Sequence, residues 1–481
     1  MIMKTESLQK ITILLLSVAL SGFLGCSEEF IDVESNQETE SAISAERAPE
    51  LVNAVYNSLL TWEVSSFSWT GITSIASDDA DKGSVPSDTG VDKHLLDALE
   101  ISPTMVSVGD VWRGHFGGIQ RANQALNRIA LFEEIDAALQ SRLIGEAKFL
   151  RALYYFRLVQ TFGGVPIITT INSLDDINET LLTRATREET FAFIEQDLRD
   201  AIDALPEKSE YPTSELGRAT RGAAKTLLAK VFMYQENWEE VRALTNEIIA
   251  SGEYGLTPNY EDIWKESSEN NIESIFEIQS RGADPAAGVD KYSTIQGARG
   301  AGGWGWGFNT PSADLNDSYE EGDTRRDATI MYAGETLFDG REISADAPNP
   351  RYNQKAYASE LTEAEITGKN VRLLRYAEVL LMNAEAAAVL GGDVATPLNQ
   401  VRGRAGLAPA ITPSRLAVWE ERRFELAFEH DRYFDLVRQG RAQEVLNAKG
   451  IPFVAGKHEV FPIPQEQIDL SGGVLTQNPG Y

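Results

Sequence analysis

The sequence predicts a mostly α-helical protein made of irregular tetratricopeptide-like helix pairs, with long loops and a few short strands. Through most of the chain, apolar residues recur at spacings of three or four, which places them on one face of a helix. Glycine and proline end several of these stretches, as they commonly do at helix ends. Between about 253 and 370 the helical spacing weakens and glycine-rich segments appear, which indicates loops.

Residues 1–25 are predicted to be a lipoprotein signal peptide. Lys4 and Lys10 precede an apolar run over 11–24, which is too short to span a membrane comfortably but has the length of a signal-peptide core. The run leads to Cys26, the only cysteine of the chain. A small residue before a lone cysteine is the recognition pattern of bacterial lipoprotein processing, so we expect Cys26 to carry the lipid. The alternative is a plain secretory signal with an incidental cysteine.

Residues 26–45 are polar and acidic, and they are predicted to form a stem. The segment Ser27-Glu28-Glu29 resembles the surface-export signal of lipoproteins in Bacteroidota-type bacteria. The resemblance implies a lipid-anchored outer-membrane protein that faces the outside of the cell. Because each buried methylene of an acyl chain contributes about 0.8 kcal/mol, an acylated Cys26 would hold the protein on the bilayer without any spanning helix.

The first long helix is predicted over 141–160, and the glycines and proline of 163–166 end it. Thr186 and Glu189 form a capping box before another helix. Three further predictions follow along the chain: a helix pair at 218–235 and 237–250, a second pair at 371–390 and 394–404, and a last long helix from Thr412-Pro413 towards Gly440 with proline at its first position. A strand-like run occupies 273–278.

The composition limits the possible functions. The chain has 73 acidic and 43 basic residues, for a net charge of −30, so its surface would repel nucleic acid and anionic membranes. One cysteine and four scattered histidines exclude an internal disulfide and predict no metal centre or cofactor. The aspartates of 78–81 lack the spacing of an EF-hand loop, because Ala80 and Lys82 stand where ligands are needed. With 481 residues, two or three interlocked lobes are expected.

Four tryptophans are the candidate ligand contacts. Sugar rings stack on flat aromatic faces while their hydroxyl groups need polar partners. Trp62 and Trp69 follow the first helix and lie near the 78–81 aspartates, and Trp304 and Trp306 lie in a glycine-rich segment that should let their indoles project. For Trp304 and Trp306 we favour binding over core packing, whereas both interpretations stay open for Trp62 and Trp69.

Glu425 and Glu429 are the carboxylates to weigh as a glycosidase pair. They are followed by Arg432, Asp435 and Arg438 at spacings of three or four, which is typical of paired charges along a helix. We therefore interpret the two glutamates as structural and predict no catalytic residue. Gly300, Gly302 and Gly305 match a dinucleotide-binding pattern, but no strand precedes them and Pro311 follows, so a helix cannot open there.

Several blocks of the chain, in order, resemble the SusD/RagB family of nutrient-binding outer-membrane lipoproteins. The blocks are 151–157 with 162–166, 218–230, 374–385 with 401–407, 421–429 with 432–438, and 461–464 with 477–481. Three places depart from the family pattern, and one of them is Leu470-Ser-Gly-Gly473, which lacks the asparagine common before the terminal motif. His430 stands where glycine is frequent, and Gln439 stands where tryptophan is frequent.

The resemblance implies that four irregular tetratricopeptide-like units form a scaffold on one side of the protein, and that loops on the opposite side bind the ligand. It also implies a SusC-like TonB-dependent barrel as partner, with an oligosaccharide, or in some relatives a peptide, caught between the two proteins. The regions expected in chain order are the signal peptide (1–25), the stem (26–45), an N-terminal helical region (46–252), a loop-rich ligand-binding insert (253–370) and a C-terminal region (371–481).

The predicted function is therefore to capture a nutrient at the cell surface and deliver it to a transporter without any chemistry. An oligosaccharide is the favoured nutrient. Two alternatives remain at this point. One is a surface glycoside hydrolase that uses Glu425 or Glu429, and the other is a tetratricopeptide scaffold that holds only other proteins.

Overall fold

A computed structural model describes residues 45–170, 178–280, 289, 291–359 and 367–481. The signal peptide, Cys26 and the stem up to 44 lie outside the described residues. Residues 48–481 form one compact unit, and the described residues that precede it form a single 3-10 turn at Ala45–Arg47. The expectation of two or three lobes within the body is therefore wrong.

The body is mainly helical, as predicted. Its α-helices in chain order are α1 (Ala48–Asn57), α2 (Trp62–Ser65), α3 (Phe67–Thr70), α4 (Lys93–Asp97), α5 (Val106–Ile129), α6 (Ala137–Phe162), α7 (Glu179–Leu182), α8 (Arg187–Ala204), α9 (Arg221–Tyr234), α10 (Trp238–Ser251), α11 (Tyr292–Gln296), α12 (Ala313–Ser318), α13 (Arg325–Thr329), α14 (Tyr376–Leu390), α15 (Ala395–Arg404), α16 (Arg415–Glu425), α17 (Arg432–Arg438), α18 (Ala442–Ala448) and α19 (Gln465–Leu470). No helix in these ranges is long and apolar enough to cross a bilayer.

The long helices stack in chain order. Helix α5 packs on α6, α6 on α8, α8 on α9, α9 on α10 and α10 on α14, which in turn contacts α15 and α16. Their ends follow the predicted signals: Thr186 and Glu189 make a reciprocal capping box at the start of α8, and Gly163 ends α6 with φ +74°. Each helix thus buries its apolar face against the next, which confirms the tetratricopeptide-like scaffold.

Short antiparallel strand pairs connect distant parts of the chain. Strand β1 (Ala80–Gly83) pairs with β3 (Phe308–Pro311), β2 (Ser274–Ile278) with β6 (Val371–Arg375), and β4 (Ile330–Tyr332) with β5 (Arg351–Asn353). The first two pairs join the loop-rich region to the N-terminal and C-terminal parts of the chain. This region therefore shares one unit with its neighbours, which explains why separate lobes do not form.

Two helix predictions were wrong at their boundaries. The segment expected to begin a helix at 371 forms strand β6, and helix α14 begins only at Tyr376. The last long helix is broken into α16 and α17, because Phe428 and His430 adopt positive φ angles of 64° and 73°. The hydroxyl of Ser414 caps α16, so the helix begins at Arg415 and proline does not occupy its first position.

Candidate functional site

Trp62 and Trp306 meet on the surface of the body, although they are far apart in the sequence. Trp62 is the first residue of α2, and Trp306 lies in the loop that leads into β3. Their ring centroids are 6.2 Å apart and their planes are inclined by 58°. Both side chains are half-buried. We call this pair the aromatic platform.

Buried phenylalanines support the platform from below. The ring of Phe67 lies edge-on to Trp62 at 5.1 Å and to Trp306 at 6.4 Å, and it contacts Phe308 at 4.9 Å. The ammonium group of Lys93 sits 4.1 Å from the Phe67 ring centre, where a cation is attracted to the aromatic face. The indoles therefore rest on packed side chains, which limits the entropy lost when a ligand binds them.

Backbone hydrogen bonds hold the loop that carries Trp306. The amide of Trp306 donates to the carbonyl of Thr294 (2.8 Å), and that of Gly307 donates to Gly297 (3.0 Å). A Cβ atom on Gly305 would come within 2.5 Å of the Thr294 oxygen, so only glycine allows this close approach. The glycines thus fix the loop against α11 and the residues that follow it.

Charged groups border the platform. One guanidinium nitrogen of Arg299 donates to Ser84 (2.8 Å), to the carboxylate of Asp88 (2.9 Å) and to the carbonyl of Trp306 (3.1 Å). Partial burial raises the pKa of Asp88, but hydrogen bonds from Gly90, Ser84 and Arg299 outweigh it, and the pKa lies below its usual value. The ammonium group of Lys291 lies 5.8 Å from the Trp62 ring and 5.5 Å from the Trp306 ring.

The expectation that Trp304 projects into solvent is wrong. Its side chain is only 6% exposed and belongs to a small core with Met331, Leu337 and Tyr352. The physical reason is that the loop folds back on itself, because the amides of Trp304 and Gly305 both donate to the carbonyl of Ala298. This turn directs the indole of Trp304 inwards and leaves that of Trp306 at the surface.

Trp69 is also buried, with 3% of its surface exposed. Its ring is covered by the guanidinium group of Arg157 at 4.7 Å and by His115 at 5.3 Å. Trp69 lies on short helix α3, whose side chains all face the protein interior, whereas Trp62 begins the preceding helix at the surface. Trp69 therefore has no open face for stacking.

The aspartates of the 78–81 loop form ion pairs with the C-terminal region. Arg432 donates two hydrogen bonds to the carboxylate of Asp78, at 2.8 and 2.7 Å, and Arg423 donates to Asp79 at 2.7 Å. The loop therefore helps to join the N-terminal and C-terminal parts of the chain. No group of three metal-binding side chains occurs within the described ranges.

Glu425 does not have the properties of a general acid. It is fully buried and accepts hydrogen bonds from Arg375 (2.9 Å), Arg404 (2.5 Å) and Arg325 (3.2 Å). Burial raises the pKa of Glu425, but the three arginines outweigh it and lower the pKa far below its usual value. Glu429 is held by Lys355 (2.7 Å) and by Arg375 (2.7 Å). Both glutamates belong to a structural ion-pair network, but their partners come from distant parts of the chain and not from positions three or four residues away on the same helix.

The sequence pattern did not indicate that the residues around the platform would include Phe67, Phe308, Arg299, Asp88 and Lys291. No spacing rule connects them. They lie on α3, in the 84–92 loop, just before α11, in the 297–307 loop and on β3, and these elements come together only through strand pairing and loop folding. The one available signal was that Arg299 begins the glycine-rich segment that carries Trp306.

These features define a class: a helical-repeat binding protein with an aromatic platform on its surface. The chain matches two family models, one described as starch-binding associating with outer membrane, over residues 29–233, and one described as the SusD family, over residues 272–481. The protein belongs to the SusD/RagB family. This confirms the family that the sequence blocks indicated.

Individual relatives agree with this assignment. A SusD-like protein of Formosa agariphila is 26% identical, with 79% of this chain and 81% of the relative covered. A laminarin binding SusD-like protein of known structure is 30% identical, with a TM-score of 0.77 and coverage of 91% of this chain and all of that one. Surface glycan-binding protein A from Bacteroides thetaiotaomicron, solved in complex with laminarihexaose, is 27% identical, with a TM-score of 0.76 and coverage of 91% and 100%.

Proposed function

We propose that this protein captures an oligosaccharide at the cell surface on the aromatic platform and passes it to a membrane transporter without chemical change. The observation that carries the proposal is the juxtaposition of Trp62 and Trp306 at 6.2 Å, half-exposed and supported from below. Paired indoles with neighbouring charged and hydroxyl groups are what stacking and hydrogen bonding of a sugar chain require. The laminarin-binding and laminarihexaose-bound relatives support a glycan over a peptide.

The inclination of the two indoles favours a glycan that bends between adjacent units. Ring planes at 58° cannot both lie flat against a straight, ribbon-like chain. Each plane can take the face of a different sugar residue when the chain curves. For this reason laminarin, a β-1,3-glucan, is the first ligand to test.

In this proposal the protein binds the glycan and does not cleave it. The glutamates that a hydrolase would need, Glu425 and Glu429, are neutralised by arginine and lysine in the interior. A turnover assay with the same glycans is the direct test, and release of reducing sugar by the purified protein would contradict this part of the proposal.

Calorimetric titration tests the platform. The protein lacking residues 1–26 is titrated with laminarin and with a panel of other glycans and peptides. Trp62→Ala and Trp306→Ala should each weaken glycan binding about tenfold, because a stacked aromatic contact contributes about 0.5–1.5 kcal/mol beyond its buried area. Trp419→Ala, which removes another half-buried indole from helix α16, is the matched control and should bind normally.

Other outcomes of this titration would contradict the proposal. If the protein binds a peptide and this binding depends on Trp306, the ligand of the platform is a peptide and not an oligosaccharide. Absence of any small ligand, with stable capture of other proteins, would favour a scaffold function instead.

The proposal includes a lipid on Cys26, an outer-membrane location facing outwards, and a SusC-like TonB-dependent barrel as partner. Its support is the lipoprotein pattern at 1–26 and the family relationship. Purification of the full chain from outer membranes tests both parts. Mass spectrometry should find an acylated amino terminus at Cys26, and a barrel transporter should copurify. Cys26→Ser should release the protein from the membrane, and its continued retention would contradict lipid anchoring.

A further inference from the structure

Two cavities lie side by side against the same exposed aromatic ring, that of Phe338. The larger has a volume of about 460 Å³ and the smaller about 290 Å³, and Phe338 lines both. Among the large apolar side chains that the described part of the chain exposes, Phe338 is the only aromatic one, with 47% of its surface accessible. Ligand sites in proteins commonly occupy about 300–1,000 Å³. We call the two cavities together the Phe338 groove.

A tight hairpin presents Phe338. The amide of Leu337 donates to the carbonyl of Arg341 (2.8 Å), and the amide of Gly340 donates to the carbonyl of Leu337 (2.9 Å). At the tip, the hydroxyl of Tyr357 donates to the Asp339 carboxylate at 2.5 Å, and the Tyr357 ring lies 5.8 Å from that of Phe338. The exposed ring is therefore held in place, which lowers the entropic cost of stacking a ligand on it.

Acceptor groups surround this ring. Carboxylates of Glu261, Asp327 and Glu335 line the larger cavity, and Glu266 lines the smaller one. Each cavity also has one basic group: Arg404, which is ion-paired with Glu273 and Glu425, lines the larger, and Lys265 lines the smaller. The ammonium group of Lys265 lies 5.3 Å from the centre of the Phe338 ring and is paired with Glu261 and Asp262. Ionised carboxylates only accept hydrogen bonds, so they suit a ligand rich in hydroxyl donors. Because the carboxylates outnumber the two basic groups, the lining has a net negative charge and would repel a uronic acid or a sulfated sugar. An aromatic face bordered by such acceptors is the environment that a neutral sugar ring requires.

The groove and the aromatic platform share a support. Trp304, two residues before Trp306, packs against Tyr357 with ring centroids 5.2 Å apart and against the guanidinium group of Arg341 at 4.8 Å. Tyr357 in turn contacts Phe338. The buried Trp304 thus connects the loop of the platform to the hairpin of the groove, and the two sites are held by one packed cluster.

We propose that the Phe338 groove is a second saccharide-binding site, which takes a neutral sugar unit and is separate from the aromatic platform. It goes beyond the proposed function, because it does not need the platform in order to bind. Two sites on one rigid body increase the apparent affinity for a polymer that reaches both, through a raised effective concentration.

Affinity gel electrophoresis and calorimetry with neutral and anionic glycans test the groove. The probes are laminarin, starch, xylan, mannan and polygalacturonate, and the protein is the chain without residues 1–26. The variants are Phe338→Ala, Glu335→Gln and Trp306→Ala, and the double variant combines Phe338→Ala with Trp306→Ala. Leu131→Ala is the matched control, because Leu131 is an exposed apolar side chain (78%) outside the groove.

We expect at least one neutral glycan to bind. Phe338→Ala and Glu335→Gln should each weaken this binding about threefold to tenfold, Leu131→Ala should leave it unchanged, and binding that remains in Trp306→Ala should be lost in the double variant. Neutral-glycan binding that Phe338→Ala leaves intact would overturn the proposal, as would binding of no neutral glycan at all. Polygalacturonate binding that requires Phe338 would overturn the neutral class. If Phe338→Ala weakens glycan binding and Trp306→Ala does not, the result contradicts the proposed aromatic platform and supports the Phe338 groove.

Discussion

The guanidinium group of Arg299 donates a hydrogen bond of 3.1 Å to the carbonyl oxygen of Trp306, so a residue of the glycine-rich loop fixes the backbone at the platform's own indole. The same nitrogen bridges to Asp88 and Ser84, which belong to the loop that follows β1. Two loops that are distant in the sequence are thus joined next to the aromatic platform. This arrangement makes Arg299 a positioning residue.

Arg299→Ala should weaken glycan binding several-fold while the thermal unfolding midpoint changes little. The bridge is about one-third exposed, so its net contribution to stability is small, on the order of 1 kcal/mol or less. Its loss frees the Trp306 backbone, which raises the entropic cost of binding. Calorimetry and a thermal scan measure the two effects. Unchanged affinity, or a large fall in the midpoint with normal affinity, would contradict the positioning role.

Trp304→Ala should destabilise the protein by about 3–5 kcal/mol, because it empties a buried site. Trp306→Ala should cost much less, since the Trp306 side chain is half-exposed. Chemical denaturation of both variants tests this order. Trp304→Phe keeps an aromatic ring in the core and should bind glycan almost normally. If Trp304→Phe were as stable as the wild type but failed to bind, the original expectation of a direct Trp304 contact would be restored.

Glu425→Gln should destabilise the protein by about 3 kcal/mol at neutral pH, because it leaves the buried cations Arg375, Arg404 and Arg325 without a full counter-charge. Arginine contacts lower the pKa of Glu425 in the folded state despite the opposing effect of burial. Such a carboxylate stabilises the fold above its unfolded pKa, about 4.3, and loses this contribution as the pH falls towards the folded value.

The stability difference between wild type and Glu425→Gln should therefore be constant from about pH 7 to 5 and shrink below about pH 4.3. Urea unfolding at a series of pH values measures it. Glu188→Gln, at an exposed position of α8, should show no comparable effect. A difference that stays the same down to pH 3 would contradict the assigned role of Glu425.

His430→Gly should be more stable than His430→Ala by about 1 kcal/mol. Both variants lose the hydrogen bond between His430 and Thr73 (2.9 Å) and the contact with the Tyr292 ring. Only glycine adopts the φ of +73° without strain. Comparison of the two urea midpoints isolates the backbone effect. Equal stability of the two variants would show that the positive φ is not strained.

This backbone angle also explains a departure noticed in the sequence. Glycine is frequent at the position of His430 in the family, and the chain reverses there between α16 and α17. The second departure, Gln439, leaves both polar atoms of its side chain buried, without a hydrogen-bond partner among the described residues. Tryptophan in that place would bring more apolar surface to the same position.

Helix existence was predictable because it depends on local patterns. The stripe of apolar residues over 141–160, the capping box of Thr186 with Glu189, and the glycines after Phe162 all act within a few residues, and all are confirmed. Strand β6 was missed because its partner β2 lies about a hundred residues earlier, and pairing, not local propensity, decides its conformation. The break between α16 and α17 was missed because the two residues with positive φ angles are Phe428 and His430, and neither is the glycine that usually marks such a turn.

For the binding site, the sequence by itself determined the chemistry that is available: indoles in a glycine-rich segment and behind the first helix, an acidic surface, and a lone cysteine after an apolar run. Only the tertiary structure decided which indoles remain at the surface. Trp304 and Trp306 have nearly the same neighbours in sequence, yet one fills a core and the other joins Trp62. The reason is that a side chain's direction in a loop is set by long-range hydrogen bonds and packing, which no local pattern records.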